Sequence, residues 1–569
     1  MTVAERRRLT AVARAVTGAD LYLRGGSVLN VYTGEIQPAG VAIKGERIAY
    51  VGGRDDMVRE TTRVLDVGGR VLVPGYIEPH AHPATLVTPA TLARHVLPLG
   101  TTAIVGDTLQ FWEVGGPRAL DTVIRALARS PLAFYWMLRV QGQSQSPDEA
   151  QRFPMPALAR AIRHPAVVAV GEVTRWPRVH EGDADLLARL ELAHAAGKRV
   201  EGHTAGAAAE KLAAIAAGGI SSDHEPITAA EVLERARQGI AVMLRESSLR
   251  PDLRGLLAAL KDAPALAARL MLTADGAMPQ FVMAHGFIDH CLRLALAGGV
   301  APIDAYRMAT LNPATYFGLD ADLGGIAPGR FANICVLRDL AEPRPESVIA
   351  RGRLVAREGR LIAKVPEPPW PRIYTTARAR LTMRWRARPH DFALPVRESY
   401  PVIRLRSAVI TTLEERPRRS DDLLAAIVDR EGRYVAPGLV AGFGDVDGFA
   451  ATMSTDFNIV ALGRSQEAMA AAVNRVLELH GGAVLVESGA VRCELPTPIG
   501  GIMSPAPLET VARAERDLHA ALAARGYAYH DPAFTLFFLA ADFLPAVRLT
   551  PRGVWDVKRS RVLLPSRRR

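Results

Sequence analysis

Cysteine is scarce: Cys291, Cys335 and Cys493 lie scattered along a chain of 569 residues. An odd and dispersed set excludes a disulfide framework and a CxxC-type metal site, so any metal must be held by histidine and carboxylate. Long apolar runs are missing too. No stretch approaches the roughly 18 apolar residues that a membrane span needs, and the opening "MTVAERRRLTAVARAV" has neither a sustained apolar core nor a small-residue cleavage site. The expectation is a cytoplasmic protein with no membrane partner. Aromatic interleaving is also sparse where positive charge collects. Much of the net charge of +11 sits in "TTARARLTMRWRARPH" and "KRSRVLLPSRRR", which read as a solvated linker and tail with no nucleic-acid motif.

What is present is a globular chain, 49% hydrophobic and long enough for two to four domains. Residues 1–75 and 319–364 share short β-like runs with turns ("VAIKGERIAYVGG", "SVIARGRLVAREGRLIAK") and are expected to form two parts of one small β-domain. Between them, residues 76–318 repeat short apolar runs ("TTAIVGD", "LAFYWML", "AVVAVGEV", "LMLTADG") separated by Ala/Leu/Arg-rich helical stretches. That alternation predicts a parallel (β/α)8 barrel of the TIM type. A Pro- and Arg-rich connector over 365–390 leads to a separate α+β domain over 391–569.

The chemistry lies at the ends of the expected barrel strands. In "VPGYIEPHAHPATLVTP" a strand ends in His80 and His82, whose side chains point the same way because they are two residues apart. Glu172 ends "VVAVGEV", His203 follows "KRVEG", His224 follows "GGISSD" and Asp275 follows "RLMLTA". A barrel gathers such groups at its carboxyl end. Six nitrogen and oxygen ligands suit Zn, Mn or Fe(II), and Glu172 has two oxygens with which to bridge two divalent ions. A lone histidine on a strand is most often structural. The HxH pair together with further acid and imidazole groups at successive strand ends points to metal.

These residues resemble a known family. "PGYIEPHAH", "GEV", "GHTAG", "SSDHE", "MLRES", "MATLNPATYFGL" and "GGIAPGRFANICVL" look like the adenine deaminases of the amidohydrolase superfamily. "MAAAVNRVLELHGGAVLVESG", "ELPTPIGGIMS" and "DPAFTLFFLA" resemble that family's extra carboxyl-terminal domain, so the likeness spans nearly the whole chain. The resemblance implies a barrel with a composite β-sandwich, a glutamate on the fourth strand (Glu172) and a homo-oligomer. It also implies one ion on His80, His82, Glu172 and Asp275 and another on Glu172, His203 and His224. The reaction implied is hydrolysis of adenine to hypoxanthine and ammonia, with Asp275 moving the proton. His224 and Glu225 would assist proton transfer or orient the ring; Glu225 is equally read as a partner that holds His224. Arg245 and Glu246 of "MLRES" are candidate substrate contacts, or members of a structural ion pair.

The pattern departs from the family around the substrate. Ala84 replaces a glutamate after HxH, and Leu109 and Gln110 replace a His-Glu pair in "DTLQ". "MSTDFN" (453–458) lacks two histidines. The departures leave open a second reading, an amidohydrolase for another substituted heterocycle or cyclic amide. A third is a non-catalytic ligand-binding descendant, which retention of all six ligands disfavours.

Overall fold

Eight apolar runs of the central segment become eight parallel strands. In the computed structural model, which describes residues 1–145, 148–381 and 385–569, they are β1 (Tyr76–Ala81), β2 (Thr101–Asp107), β3 (Ala133–Leu138), β4 (Val167–Val173), β5 (Arg199–Gly202), β6 (Ser222–Asp223), β7 (Ala241–Arg245) and β8 (Leu270–Thr273). Each pairs in parallel with the next. β2 and β4 are buried at every residue, which is why they read as continuous apolar runs without alternation. The seam between β8 and β1 is closed by a bridge from Ala81 to Asp275 and by side chains. The Thr273 hydroxyl donates to Glu78 Oε1 at 2.6 Å, and Ala274 N–H donates to Glu78 Oε2 at 2.8 Å. Burial pushes the Glu78 carboxyl up to about 8, against the pull of those donors.

Strands from both flanks of the barrel share one sheet. Ile334–Leu337 runs antiparallel to Val71–Pro74, which in turn pairs with Ser27–Leu29. A four-stranded sheet of Leu21–Arg24, Gly40–Lys44, Arg47–Gly52 and Arg63–Asp66 lies against it. Leu23, Val41, Ile48, Leu72, Ile334 and Ile349 fill the core between the two sheets.

The charged residues of the connector and tail are mostly exposed, and a few side chains anchor both segments. Trp370, Ile373 and Tyr374 are buried, and Trp370 stacks on Phe111 with ring centroids 6.2 Å apart. A few aromatic anchors in an otherwise Arg- and Pro-rich run hold it on the barrel. At the tail, Arg569 lies over Trp385 and pairs with Asp391 at 2.8 Å, while Arg567–Arg568 pairs with Tyr434–Ala441. Thr382, Met383 and Arg384 of the connector lie outside the described residues.

Beyond the connector a mixed sheet carries the helix Gln466–Glu478 on one side. This part docks on the barrel through Met503–Ser504, which pairs with Leu86–Val87 just after β1. Among the described residues no helix is long and apolar enough to cross a membrane.

Candidate metal centre and active site

The HxH spacing on β1 has the expected consequence. His80 Nε2 and His82 Nε2 lie 3.3 Å apart, and Asp275 Oδ1, just past β8, is 3.4 Å from the first and 3.3 Å from the second. Asp275 has φ +48°, a left-handed conformation that aspartate tolerates better than most residues. A second set lies beside it. His203 Nδ1, past β5, is 3.3 Å from His224 Nε2, past β6; Glu172 Oε1 of β4 is 3.4 Å from His224 Nε2 and in contact with His203 Nδ1.

Ligand atoms sharing one tetrahedral ion at bond lengths of about 2.1 Å lie about 3.4 Å apart. The first set has that spacing at all three pairs and the second at two of its three, and each brings two imidazole nitrogens and a carboxylate oxygen to one point. The donor sets therefore fit divalent metal ions of the Zn, Mn or Fe type. Glu172 faces both groups, with Oε2 4.0 Å from His82 Nε2.

Buried carboxylates stand behind the imidazoles. Glu201 Oε1 lies 2.8 Å from His224 Nδ1 and Oε2 lies 3.4 Å from His80 Nδ1, while Asp107 Oδ2 is 3.3 Å from His82 Nδ1. Such partners fix which ring nitrogen is free to ligate. Burial disfavours a charged His82, but the hydrogen bonds it donates to Asp107 and Asp275 outweigh it and lift the ring to about 10. Burial likewise opposes ionisation of Asp275. The hydrogen bonds from His80 and His82 and the charge on His224 win, holding its carboxyl well below the usual range. Arg139, past β3, donates to Asp107 through Nε and Nη2 and to the Glu172 backbone oxygen at 2.8 Å, and it contacts Glu172 Oε2.

None of Glu201, Asp107, Arg139 or Glu78 was singled out from the sequence. Two of them were within reach of the strand rule: Glu201 precedes His203 by two residues, and Glu78 precedes His80 by two. Glu225 sits 3.5 Å from both His203 Nδ1 and His224 Nε2 and pairs with Arg245, which keeps it ionised against its burial. The partner of the His224 Nδ1 side is thus Glu201, and Glu225 lies on the ligating side. Arg245 Nη1 also donates to Asp275 Oδ2 at 3.0 Å. Glu246 is directed elsewhere: it accepts Leu253 N–H at 3.3 Å and lies 3.8 Å from His290, outside the cavity wall. Adjacent residues past a strand end face opposite ways, so "MLRES" delivers Arg245 and Ser247 to the cavity and turns Glu246 away from it.

A cavity opens over these groups. Its floor holds His82, Glu172, His203, His224, Glu225, Arg245 and Asp275, and its barrel-side wall holds Ala84, Leu109, Gln110 and Gln143. The far wall comes from the carboxyl-terminal part: Val409, Met453, Phe457, Phe534, Phe537, Phe538 and Leu544.

An amidohydrolase family model matches residues 71–355, and an adenine deaminase C-terminal domain model matches residues 405–561. A Halalkalibacterium halodurans protein, provisionally named an adenine deaminase, is 35% identical over 98% of this chain and 97% of its own. Proteins named adenine deaminase are similar at 33% identity in Moorella thermoacetica (97% and 96% covered) and 35% in Cenarchaeum symbiosum (97% and 93%). The chain belongs to the adenine deaminase family. Within that family the departures noted in the sequence now have a place: Ala84, Leu109, Gln110, Ser454 and Phe457 all line the cavity. They change its walls and leave the ligand sets whole.

Proposed function

We propose that the protein is a metal-dependent aminohydrolase that converts adenine or a closely related aminopurine and water to the oxo-purine and ammonia. The observation that carries this is the pair of ligand sets at the carboxyl end of the barrel, facing a cavity walled by the family's C-terminal domain. His80, His82, Glu172 and Asp275 would hold one divalent ion, and Glu172, His203 and His224 a second, of Mn, Fe or Zn. When bound, such ions supply a water acidic enough to act as a nucleophile at neutral pH.

The chain's own groups do the rest. Asp275 takes the proton of the attacking water as its oxygen adds to C6, and passes it to the exocyclic nitrogen. The C6–N6 bond then breaks, ammonia leaves and the ring keeps the oxygen. Glu225 lies on the cavity floor beside the ligand sets and orients the ring or shuttles the second proton. Arg245 pins Glu225 against Asp275, so the two carboxylates keep a fixed separation. The aromatic wall excludes bulk water and faces the ring.

The altered wall favours a second reading at the same centre, another substituted heterocycle or cyclic amide, because apolar Ala84, Leu109 and Phe457 stand where the family pattern is polar. Adding adenine to metal-loaded protein while following ammonia and ultraviolet absorption tests the first reading. Steady release of ammonia with the absorption change of hypoxanthine is expected. No reaction with adenine, but turnover of another member of a heterocycle panel, would favour the second.

A further inference from the structure

Two glutamines in the cavity wall have hydrogen-bonding capacity left over. Gln110 is 9% exposed and Gln143 is 4% exposed, and the Oε1 atom of each is buried without a partner among the described residues. Both line the cavity in front of the ligand sets. A fold rarely keeps a buried amide unpaired unless something outside the chain supplies the partner.

Their positions are built, not incidental. Gln110 stands in the first turn of a helix, α1 (Leu109–Leu127), whose Leu109 N–H donates to Asp107 Oδ1 at 3.0 Å, so the residue that backs His82 also sets the start of this turn. Gln143 is held from both sides. Gly142 N–H donates to Glu149 Oε1 at 2.9 Å, the Ser144 hydroxyl lies 2.5 Å from the Thr455 hydroxyl, and Gln145 N–H donates to Asp542 Oδ2 at 2.8 Å. Several nearby polar groups of the wall are already engaged, whereas Arg245 Nε and Nη2 and Arg250 Nη2 are buried without partners among the described residues. The Thr452 hydroxyl donates to the Gly501 carbonyl, the Ser454 hydroxyl to Asp456 Oδ1, and Arg245 Nη1 to Glu225 and Asp275.

A carboxamide offers one donor and one acceptor side by side. That is the complement of a purine edge on which an acceptor nitrogen adjoins an N–H, such as N7 with the amino group or N3 with N9–H. We propose that Gln110 and Gln143 are specificity-determining residues that read the hydrogen-bonding edge of the substrate ring, selecting an aminopurine with N7 and N9 free. This rests on the aminohydrolase reading above. Neutral amides suit a neutral ring, and the floor charges are already compensated within the site.

The test is kcat/KM for adenine, 7-deazaadenine and 9-methyladenine on metal-loaded wild type, Gln110→Met and Gln143→Met. Each analogue deletes one edge contact, and comparing ratios between proteins cancels its intrinsic reactivity. In at least one variant the preference for adenine over one analogue should fall by roughly 10-fold or more, the worth of a lost bidentate contact, mainly through KM. Metal content and thermal midpoint should match wild type. If a methionine variant does not fold, Gln→Asn at that position keeps the amide but withdraws it, and is read the same way. Wild-type ratios kept within twofold in both positions would overturn the assignment of the amides alone. Wild type that releases no ammonia from any of the three bases would overturn the aminohydrolase reading and the amide assignment with it.

Discussion

Asp275 meets both imidazoles of β1 through one oxygen and Arg245 through the other, so its carboxylate can serve as ligand and as proton carrier. Asp275→Asn keeps one coordinating oxygen and removes the base. The variant should retain most of its metal and lose on the order of 10²- to 10⁴-fold in rate, read by metal analysis beside steady-state kinetics. A rate within a few-fold of wild type at full metal content would confine Asp275 to a structural part. Glu172→Gln is different in kind, because a neutral amide cannot offset the charge of two cations; metal content and turnover should fall together. Two metals per chain with near-normal activity in that variant would remove the bridging role. That the six residues of the two donor sets come together was legible because histidines and acids after apolar runs are rare enough to stand out. Glu201 and Asp107 were passed over although Glu201 precedes His203 by two residues and Asp107 ends β2, because each serves by orienting another residue.

Each barrel strand ends by delivering a group to the centre, and that depends on the barrel closing where β8 meets β1. Thr273 does this with one hydroxyl, shared between Glu78 Oε1 and the His80 carbonyl at 2.9 Å. Thr273→Val leaves the buried Glu78 with one donor fewer and should cost about 1–3 kcal/mol, seen as a lower midpoint in thermal or denaturant unfolding. Because His80 and Asp275 flank this seam, the variant should also lose metal more readily to a chelator. An unchanged midpoint would show that the hydroxyl is not what closes the seam. The parallel strands themselves were legible as runs of apolar residues alternating with helical stretches. The pairing of Met503–Ser504 with Leu86–Val87 was not, because a two-residue strand has no period to read.

Across the whole molecule the carboxyl-terminal part is the far wall of the cavity, and its joint with the barrel carries a titratable group. Asp542, two residues before the cavity-lining Leu544, accepts Gln145 N–H with one oxygen, while its other oxygen is buried without a partner among the described residues. Burial pushes its carboxyl up to about 6, against the Gln145 N–H and Arg175. An unfolded aspartate titrates near 3.9. Between about pH 4 and pH 6 the unfolded chain therefore gives up a proton that the folded chain keeps, so this group lowers stability as pH rises through that window, and the penalty persists above it. Asp542→Asn should melt higher than wild type at pH 7.5, by on the order of 1–2 kcal/mol, with the gain shrinking toward pH 4. A gain independent of pH would contradict that origin. The separate carboxyl-terminal segment was legible from its composition and family resemblance. Its contribution of Phe534, Phe537 and Phe538 to the cavity was not, since an apolar run such as "FTLFFLA" reads equally well as core. The most direct test of the centre is a titration of metal-free protein with Mn, Fe(II) or Zn while ammonia release from adenine is followed. Activity should be absent without metal and climb to a plateau as two equivalents bind; turnover by the metal-free protein, or no ammonia from adenine with both sites filled, would contradict it.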